Sequence, residues 1–351
     1  MAKTILITGA AGHVGSHIVE HLIKKTDWNI VILDRLDYAS TGFDRLRDIE
    51  AFDDKRVKTF VHDLQQPILE GLDQEIGHVD YIVHAAAGSH VDNSISDPVP
   101  FIRNNVDNTL NMLEFARKRK GTFEKFLYFS TDEVFGPAPE GIDYKEGDRF
   151  NPSNPYSASK ACAESICMAY ANTYRLPIVI TNGMNILGER QHPEKYFPKI
   201  INYILDGKTL QIHSDPTKTQ AGKRHYIHAR NVGDAILFVL TKTNEFLNNI
   251  DASKGKFNIV GEKELDNLQL ALLVEKAIQK RLGDKYKLKY EMTDFHSKRP
   301  GHDSRYSLSG EKLKNLGWMP PKTIEETIDK MVEWSLDPKH IHWLGRKEIP
   351  F

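Results

Sequence analysis

Cysteine is scarce in this chain: two in 351 residues, Cys162 and Cys167, both on one expected helix. Two thiols so placed make no disulfide framework and point to a reducing compartment. Long apolar runs are missing as well. None approaches the roughly 18 residues that suggest a membrane span, and the opening MAKTILITG runs into a strand without a signal-peptide layout. Neither sign of charge is in excess, with 47 Lys and Arg against 48 Asp and Glu. That balance leaves no electrostatic footprint for nucleic acid or an anionic membrane. Repeats and low-complexity tracts are absent too. The expectation is a soluble, cytoplasmic protein with no nucleic-acid or membrane partner.

Apolar residues make up 40% of the chain, enough for a sizeable core. The first half alternates short apolar runs with helical spacing. Strands are expected over Thr4–Thr8, Asn29–Leu33, Val57–Val61, Tyr81–His84, Phe126–Phe129 and Pro177–Thr181. Helices are expected from about Gly15 to Lys25, over 104–119 and over Ser157–Tyr174. Near-continuous apolar strands between helices mean a parallel sheet covered on both faces. The fold class is α/β: a Rossmann doubly wound parallel sheet with a smaller C-terminal α/β substrate-binding domain. The second half is broken by Pro193, Pro198, Pro216, Pro300, Pro320 and Pro321, so a boundary is placed near residue 182. Residues 1–182 form the nucleotide-binding unit and 183–351 mainly the substrate unit. A helix over Val232–Thr241 and a strand over Lys256–Val260 return to the sheet from the region 228–260.

Three glycines, Gly9, Gly12 and Gly15, follow the first strand and open a helix. Glycines there permit a tight turn, and the helix N-terminus can face a pyrophosphate. Asp34 ends the second strand, where an acid can bind a ribose 2′-hydroxyl and repel a 2′-phosphate; that favours NAD over NADP. Arg35 next to it pulls the other way. Asp63 and Leu64 end the third strand and can flank adenine, although a solvated strand end would look the same. Tyr156 and Lys160 stand at i and i+4 of one helix, so they share a face. An ammonium beside a phenol lowers the phenol's pKa from about 10 and makes it a usable acid or base. At 130–136 the chain reads STDEVFG, two hydroxyls and two carboxylates directly after an apolar strand. Burying adjacent acids is costly unless they have a use.

The segments STDEVFG (130–136), NPSNPYSASKA (151–161), SHVDNSI (89–95), HPEKYFPK (192–199) and RPGHDSRYSL (299–308) together resemble the extended short-chain dehydrogenase/reductases, and within them the nucleotide-sugar 4,6-dehydratases. The resemblance implies an NAD enzyme acting on an NDP-glucose, dTDP-glucose first. Tyr156 would take the carbon 4 hydroxyl proton as NAD takes the hydride. Glu133 would remove the carbon 5 proton, Asp132 would protonate the departing carbon 6 hydroxyl, and the hydride would return to carbon 6. Elimination needs one base and one acid at neighbouring carbons, with their pKa values pushed apart. Thr131 would hydrogen-bond the carbon 4 hydroxyl. His13 and Val14 match the cofactor turn, and Ala86 and Ala87 the segment beside the nicotinamide. Ser89, Asn185, Lys195, Arg224, Asn267, Arg299 and His302 match substrate-contacting positions, their cations suiting a sugar diphosphate. No metal is implied. A homodimer through helices 104–119 and 157–174 is.

The chain departs from the family pattern at Gly88, Asn93 and Ile186, and in LQIH (210–213) with the polar loop after it. These changes fall on the sugar and base side and leave UDP-glucose as an alternative substrate. An NDP-sugar 4-epimerase is a rival with the same fold, but it has no use for Asp132 and Glu133 together. A decarboxylase of an NDP-glucuronate would want an acid-recognising Arg that the sequence does not place. An inactive NAD-binding protein would have lost the Tyr, the Lys or the acid pair.

Overall fold

A computed structural model describes residues 2–37, 40–244, 252–294 and 305–349. Its strands are β1 (Thr4–Thr8), β2 (Asn29–Asp34), β3 (Val57–Val61), β4 (Tyr81–His84), β5 (Lys125–Thr131) and β6 (Ile178–Gly183), followed by β7 (Asn185–Leu187), β8 (Thr209–Ser214), β9 (Lys223–His228), β10 (Lys256–Ile259), β11 (Glu264–Asp266) and β12 (Lys289–Asp294). One seven-stranded sheet has the order β10-β6-β5-β4-β1-β2-β3, and every neighbouring pair in it is parallel. The order reverses between β1 and β4, the crevice where doubly wound sheets bind ligands.

Alternation along each strand sends side chains to opposite faces. Ile5, Ile7, Ile30 and Ile32 pack under the helices His13–Lys25 and Ala229–Lys242. Leu6, Val31 and Leu33 join the opposite core, with the helices Pro98–Lys118 and Pro155–Tyr174. Each of the six strands expected in the first half is found in this sheet, because both faces of it are buried.

The helix over 98–118 starts earlier than its apolar spacing suggested. Pro98 and Pro100 fall in its first turn, where the backbone N–H groups have no helical acceptor and proline costs nothing. Beyond β6 the chain builds two small sheets, β11-β9-β7 and β12-β8, around a separate apolar core that includes Phe197, Ile200, Leu270 and Ile328. Among the described residues no helix is long and apolar enough to cross a membrane.

Candidate active site

The turn after β1 lies directly against the end of β4. A Cβ on Gly9, whose φ is +71°, would stand 2.7 Å from the Ala86 Cα, and one on Gly15 would stand 2.2 Å from the Gly9 carbonyl oxygen. Both positions therefore admit only glycine, and the turn delivers Gly12 as the cap of the helix at His13. Asp34 grips this turn from β2: its carboxylate accepts the N–H of Ala11 at 2.9 Å and of Leu36 at 2.8 Å. Burial raises the Asp34 pKa against those bonds. Arg35 is held elsewhere, donating to Asn104 Oδ1 at 2.7 Å and Asp37 Oδ2 at 2.9 Å, with Asp63 3.8 Å away. A guanidinium clamped by acids is poorly placed to recruit a 2′-phosphate.

A buried polar bridge fixes the segment after β4. Thr8 Oγ1 accepts the Ala86 N–H at 3.2 Å and meets His84 Nδ1 at 2.7 Å. His84 Nε2 reaches Asn108 Oδ1 at 3.3 Å, and Asn108 Nδ2 donates to the Ala86 carbonyl at 3.1 Å. Buried asparagines on an otherwise apolar helix face were the available signal in the sequence (NNVDN, 104–108), and the motif reading passed over them.

The acid pair sits at the end of β5, in a single 3-10 turn, Asp132–Phe135, capped by Thr131. Successive side chains of a 3-10 turn point about 120° apart, so neighbouring acids diverge. Thr131 Oγ1 donates to Asp132 Oδ1 at 2.9 Å, while Asp132 Oδ2 is buried without a hydrogen-bond partner. Burial pushes the Asp132 pKa up to about 6, against the Thr131 hydroxyl and the Arg224 charge. Glu133 is less buried, and its Oε2 accepts from Asn154 Nδ2 at 3.1 Å. The two carboxyls thus stand in different surroundings.

Asn154 was missed as a site residue. It caps the helix Pro155–Tyr174 through a reciprocal box with Ser157, and Pro155 takes the first helical position. That cap aims its amide at Glu133 and sets Tyr156 in the first turn. Tyr156 is 9% exposed. One turn on, Lys160 Nζ donates to the Phe129 carbonyl at 2.7 Å and lies 4.2 Å from the centre of the Tyr128 ring. The expected lowering of the phenol by Lys160 does not appear. Burial raises the Tyr156 pKa, Glu133 adds to the rise, and the same burial lowers Lys160 to about 8.

The raised Asp132 carries a stability prediction. Its folded pKa of about 6 exceeds the unfolded value, so the folded chain holds the proton more tightly. Stability is greatest below the unfolded pKa and falls as pH rises through about 6. Each pKa unit is about 1.4 kcal/mol, so ionised Asp132 costs on the order of 3 kcal/mol near neutrality. Asp132→Asn should therefore melt higher than the parent at pH 7.5. The gain should vanish near pH 4, as read by thermal unfolding at both values.

Gly9, Asp34, Ala86, Asp132, Glu133, Tyr156 and Lys160 line one cavity of about 1260 Å³ at the carboxyl ends of the central strands. Residues 6–331 match the family model described as GDP-mannose 4,6 dehydratase. The chain belongs to this family.

A dTDP-glucose 4,6-dehydratase of Neisseria gonorrhoeae is 36% identical, with 96% of each chain aligned. Against the trifunctional UDP-glucose 4,6-dehydratase/epimerase/reductase of Arabidopsis thaliana the identity is 35% over 95% of this chain, which spans about half (47%) of that protein. The crystal structure of dTDP-glucose 4,6-dehydratase from Bacillus anthracis in complex with NAD superposes with a TM-score of 0.80 at 29% identity, covering 98% of this chain and 99% of that one. The UDP-glucose 4-epimerase of Thermus thermophilus, also in complex with NAD, gives 0.78 at 27% identity, over 94% and 98%.

The cavity of this family member gathers every described residue that the motifs singled out. Gly9, Gly12, His13, Val14, Gly15, Asp34, Asp63, Leu64, Ala86 and Ala87, the residues expected at the cofactor, line it. Thr131, Asp132, Glu133, Tyr156 and Lys160 line it too, as do Ser89, Asn185, Lys195, Arg224 and Asn267. Arg299 and His302 lie outside the described residues. Arg224 stands 4.5 Å from the Tyr306 ring centre, and Asn267 accepts at its carbonyl from the Tyr196 hydroxyl at 2.9 Å. Tyr226 and Tyr306 also face the cavity; Tyr306 lies in the segment RPGHDSRYSL without having been singled out, and Tyr226 had no motif to announce it.

At Gly88 a Cβ would come within 3.0 Å of Phe101, whose ring lies edge-on to Tyr156 at 6.2 Å. Phe101 fills the room that a longer residue 88 would need.

One cluster, His17, Glu189 and His228, brings possible metal-ligating atoms together among the described residues. Its polarity is that of a hydrogen-bond network. His228 Nδ1 accepts the Arg230 N–H at 2.9 Å, and Arg190 Nη2 approaches His17 Nδ1 at 3.3 Å. A metal-bound imidazole donates from its second nitrogen instead of accepting there.

Proposed function

We propose that the chain is an NDP-glucose 4,6-dehydratase with tightly held NAD, acting on dTDP-glucose to give the 4-keto-6-deoxy product. The observation that carries this reading is the Asp132–Glu133 turn. It sets two acids of unlike environment beside Tyr156 in one cavity, within a family of 4,6-dehydratases. The glycine turn that a Cβ would fill, with Asp34 gripping it, fits a dinucleotide. When bound, NAD supplies the hydride acceptor at carbon 4, the donor at carbon 6 and, while oxidised, a positive charge that favours the phenolate.

The residues move the protons. Tyr156 Oη takes the carbon 4 hydroxyl proton, with Thr131 Oγ1 orienting that hydroxyl. The resulting ketone acidifies carbon 5, and Glu133, aligned by Asn154, removes its proton. Asp132, whose pKa burial raises to about 6 so that a protonated fraction persists near neutrality, donates to the carbon 6 hydroxyl, which leaves as water, and Glu133 returns a proton to carbon 5 as carbon 6 receives the hydride. Ser89, Asn185, Lys195, Arg224 and Asn267 hold the sugar diphosphate, with Arg299 and His302 assigned by resemblance alone. In this reading residues up to about 182, with helix Ala229–Lys242 and β10, form the NAD unit, and most of the remainder forms the substrate unit. Two free cysteines, Cys162 and Cys167, suit a cytoplasmic location.

UDP-glucose is the second reading, because His213 and the loop after β8 depart from the family pattern on the side of the base. A 4-epimerase has no role for the acid pair. Purified protein incubated with dTDP-glucose or UDP-glucose should show loss of one water from one nucleotide sugar by mass spectrometry. An unchanged mass with inverted carbon 4 would make it an epimerase, and no change in either would remove the dehydratase reading.

A homodimer belongs to the same proposal. The helix Pro98–Lys118 exposes Val99, Ile102 and Leu110, and Tyr174 ends the neighbouring helix exposed. Sedimentation should give a dimer at micromolar concentration, and a monomer alone would refute it.

A further inference from the structure

Behind the site lies a buried charged group that the reaction steps above do not use. Glu164 is 0% exposed, two turns after Tyr156 and one after Lys160, so the three share a helix face. Both of its oxygens are engaged by other elements. Oε1 accepts from Asn182 Nδ2 on β6 at 2.6 Å, and Oε2 lies 3.0 Å from Lys256 Nζ on β10. Lys256 is itself buried and lies over the rings of Phe135 and Phe150. Asn182 Nδ2 also donates to the Thr131 carbonyl at 3.1 Å, the carbonyl of the peptide that leads into Asp132.

We propose that Glu164, Asn182 and Lys256 are positioning residues of this site: a buried ion pair, anchored on β6 and β10, that pins the Thr131–Asp132 peptide and presents a negative charge behind Lys160. The proposal rests on the dehydratase reading for its effect on turnover.

The physical case is that burying two ions is expensive and that a better-packed apolar pair would serve stability as well or better. A pair at this place has a second use. The Thr131 peptide carries both the hydroxyl and the acid of the site, and a displacement of about 1 Å there can cost on the order of a hundredfold in rate. Lys160 meets the Phe129 carbonyl and the Tyr128 ring from β5, with His84 on β4 and Cys167 on its own helix nearby. Of these groups only Glu164 brings a full negative charge to oppose the loss of the Lys160 proton on burial.

The test uses the full chain. Lys256→Met alone leaves an unpaired buried carboxylate and destabilises the fold, so the deciding variant is Glu164→Gln with Lys256→Met, which removes both charges at nearly constant volume. Two quantities are read: kcat and KM for NDP-glucose dehydration, and the titration of the Lys160 ¹⁵Nζ signal, assigned with Lys160→Arg. The expected result is a folded protein with kcat at least about tenfold lower, KM within about twofold, and a Lys160 midpoint lower by about one pH unit. An unchanged midpoint in the folded double variant overturns the charge role, and an unchanged kcat overturns the hold on Thr131. If the parent protein itself removes no water from NDP-glucose, the functional reading fails alone, and the Lys160 titration still decides the network.

Discussion

Glu133→Gln should fold and bind its ligands normally yet lose turnover by about 10²–10⁴-fold, the usual worth of a positioned acid or base. Gln has the same shape as Glu, and its amide oxygen can still accept from Asn154 Nδ2, which now sits 3.1 Å from Oε2. The variant lacks a base for the carbon 5 proton. Incubation in D2O should therefore leave carbon 5 unlabelled, where the parent protein yields a product carrying solvent deuterium there. Oxidation at carbon 4 comes earlier and does not need Glu133, so it should persist. Parent-like turnover would remove the assigned role.

Tyr156→Phe should be the other large loss, again about 10²–10⁴-fold, but at an earlier point. Removing one oxygen from a residue 9% exposed leaves the packing against Phe101 in place. Without the phenol, the carbon 4 hydroxyl keeps its proton and no ketone forms, so carbon 5 is never acidified. Substrate deuterated at carbon 4, read together with the absorbance of reduced NAD, separates the two variants. The parent should transfer the label to carbon 6; Glu133→Gln should form reduced NAD without passing the label on, whereas Tyr156→Phe should form no reduced NAD and leave the label where it was. Label transfer at the parent rate in this variant would refute the proton acceptor.

Asp132, in turn, should trade stability for function: its removal raises the melting temperature near neutrality while the acid for carbon 6 is lost.

Much of the fold was legible because both faces of a doubly wound sheet are buried. Strands such as TILIT and YIVH must then be apolar throughout, and such runs stand out from the helices between them. The glycines were legible for a related reason: at Gly9 and Gly15 a single Cβ would collide with backbone, so no other residue serves. The chemical groups were legible because Tyr156 and Lys160 are one helical turn apart and Asp132 and Glu133 are adjacent. Local spacing carries such information.

Contacts made across the chain had no such trace. Nothing near Glu133 in sequence says that Asn154 will hold it, since Asn154 reads as a helix cap and is one. Lys256 and Glu164 look like surface charges until the strand order places β10 beside β6. The adjacent acids read only as residues following a strand, and the 3-10 turn that Thr131 caps there left no mark in the sequence. Tyr156 and Lys160 were expected to pair, and burial together with the Phe129 carbonyl decided otherwise.

The sequence by itself determined the strands of the parallel sheet, the glycine turn and the candidates for the reacting groups, because these depend on local periodicity and on residues with no substitute. The tertiary structure alone decided which groups are buried, what each is bonded to and hence how readily each holds its proton. Those properties are set by desolvation and by partners brought together from distant parts of the chain.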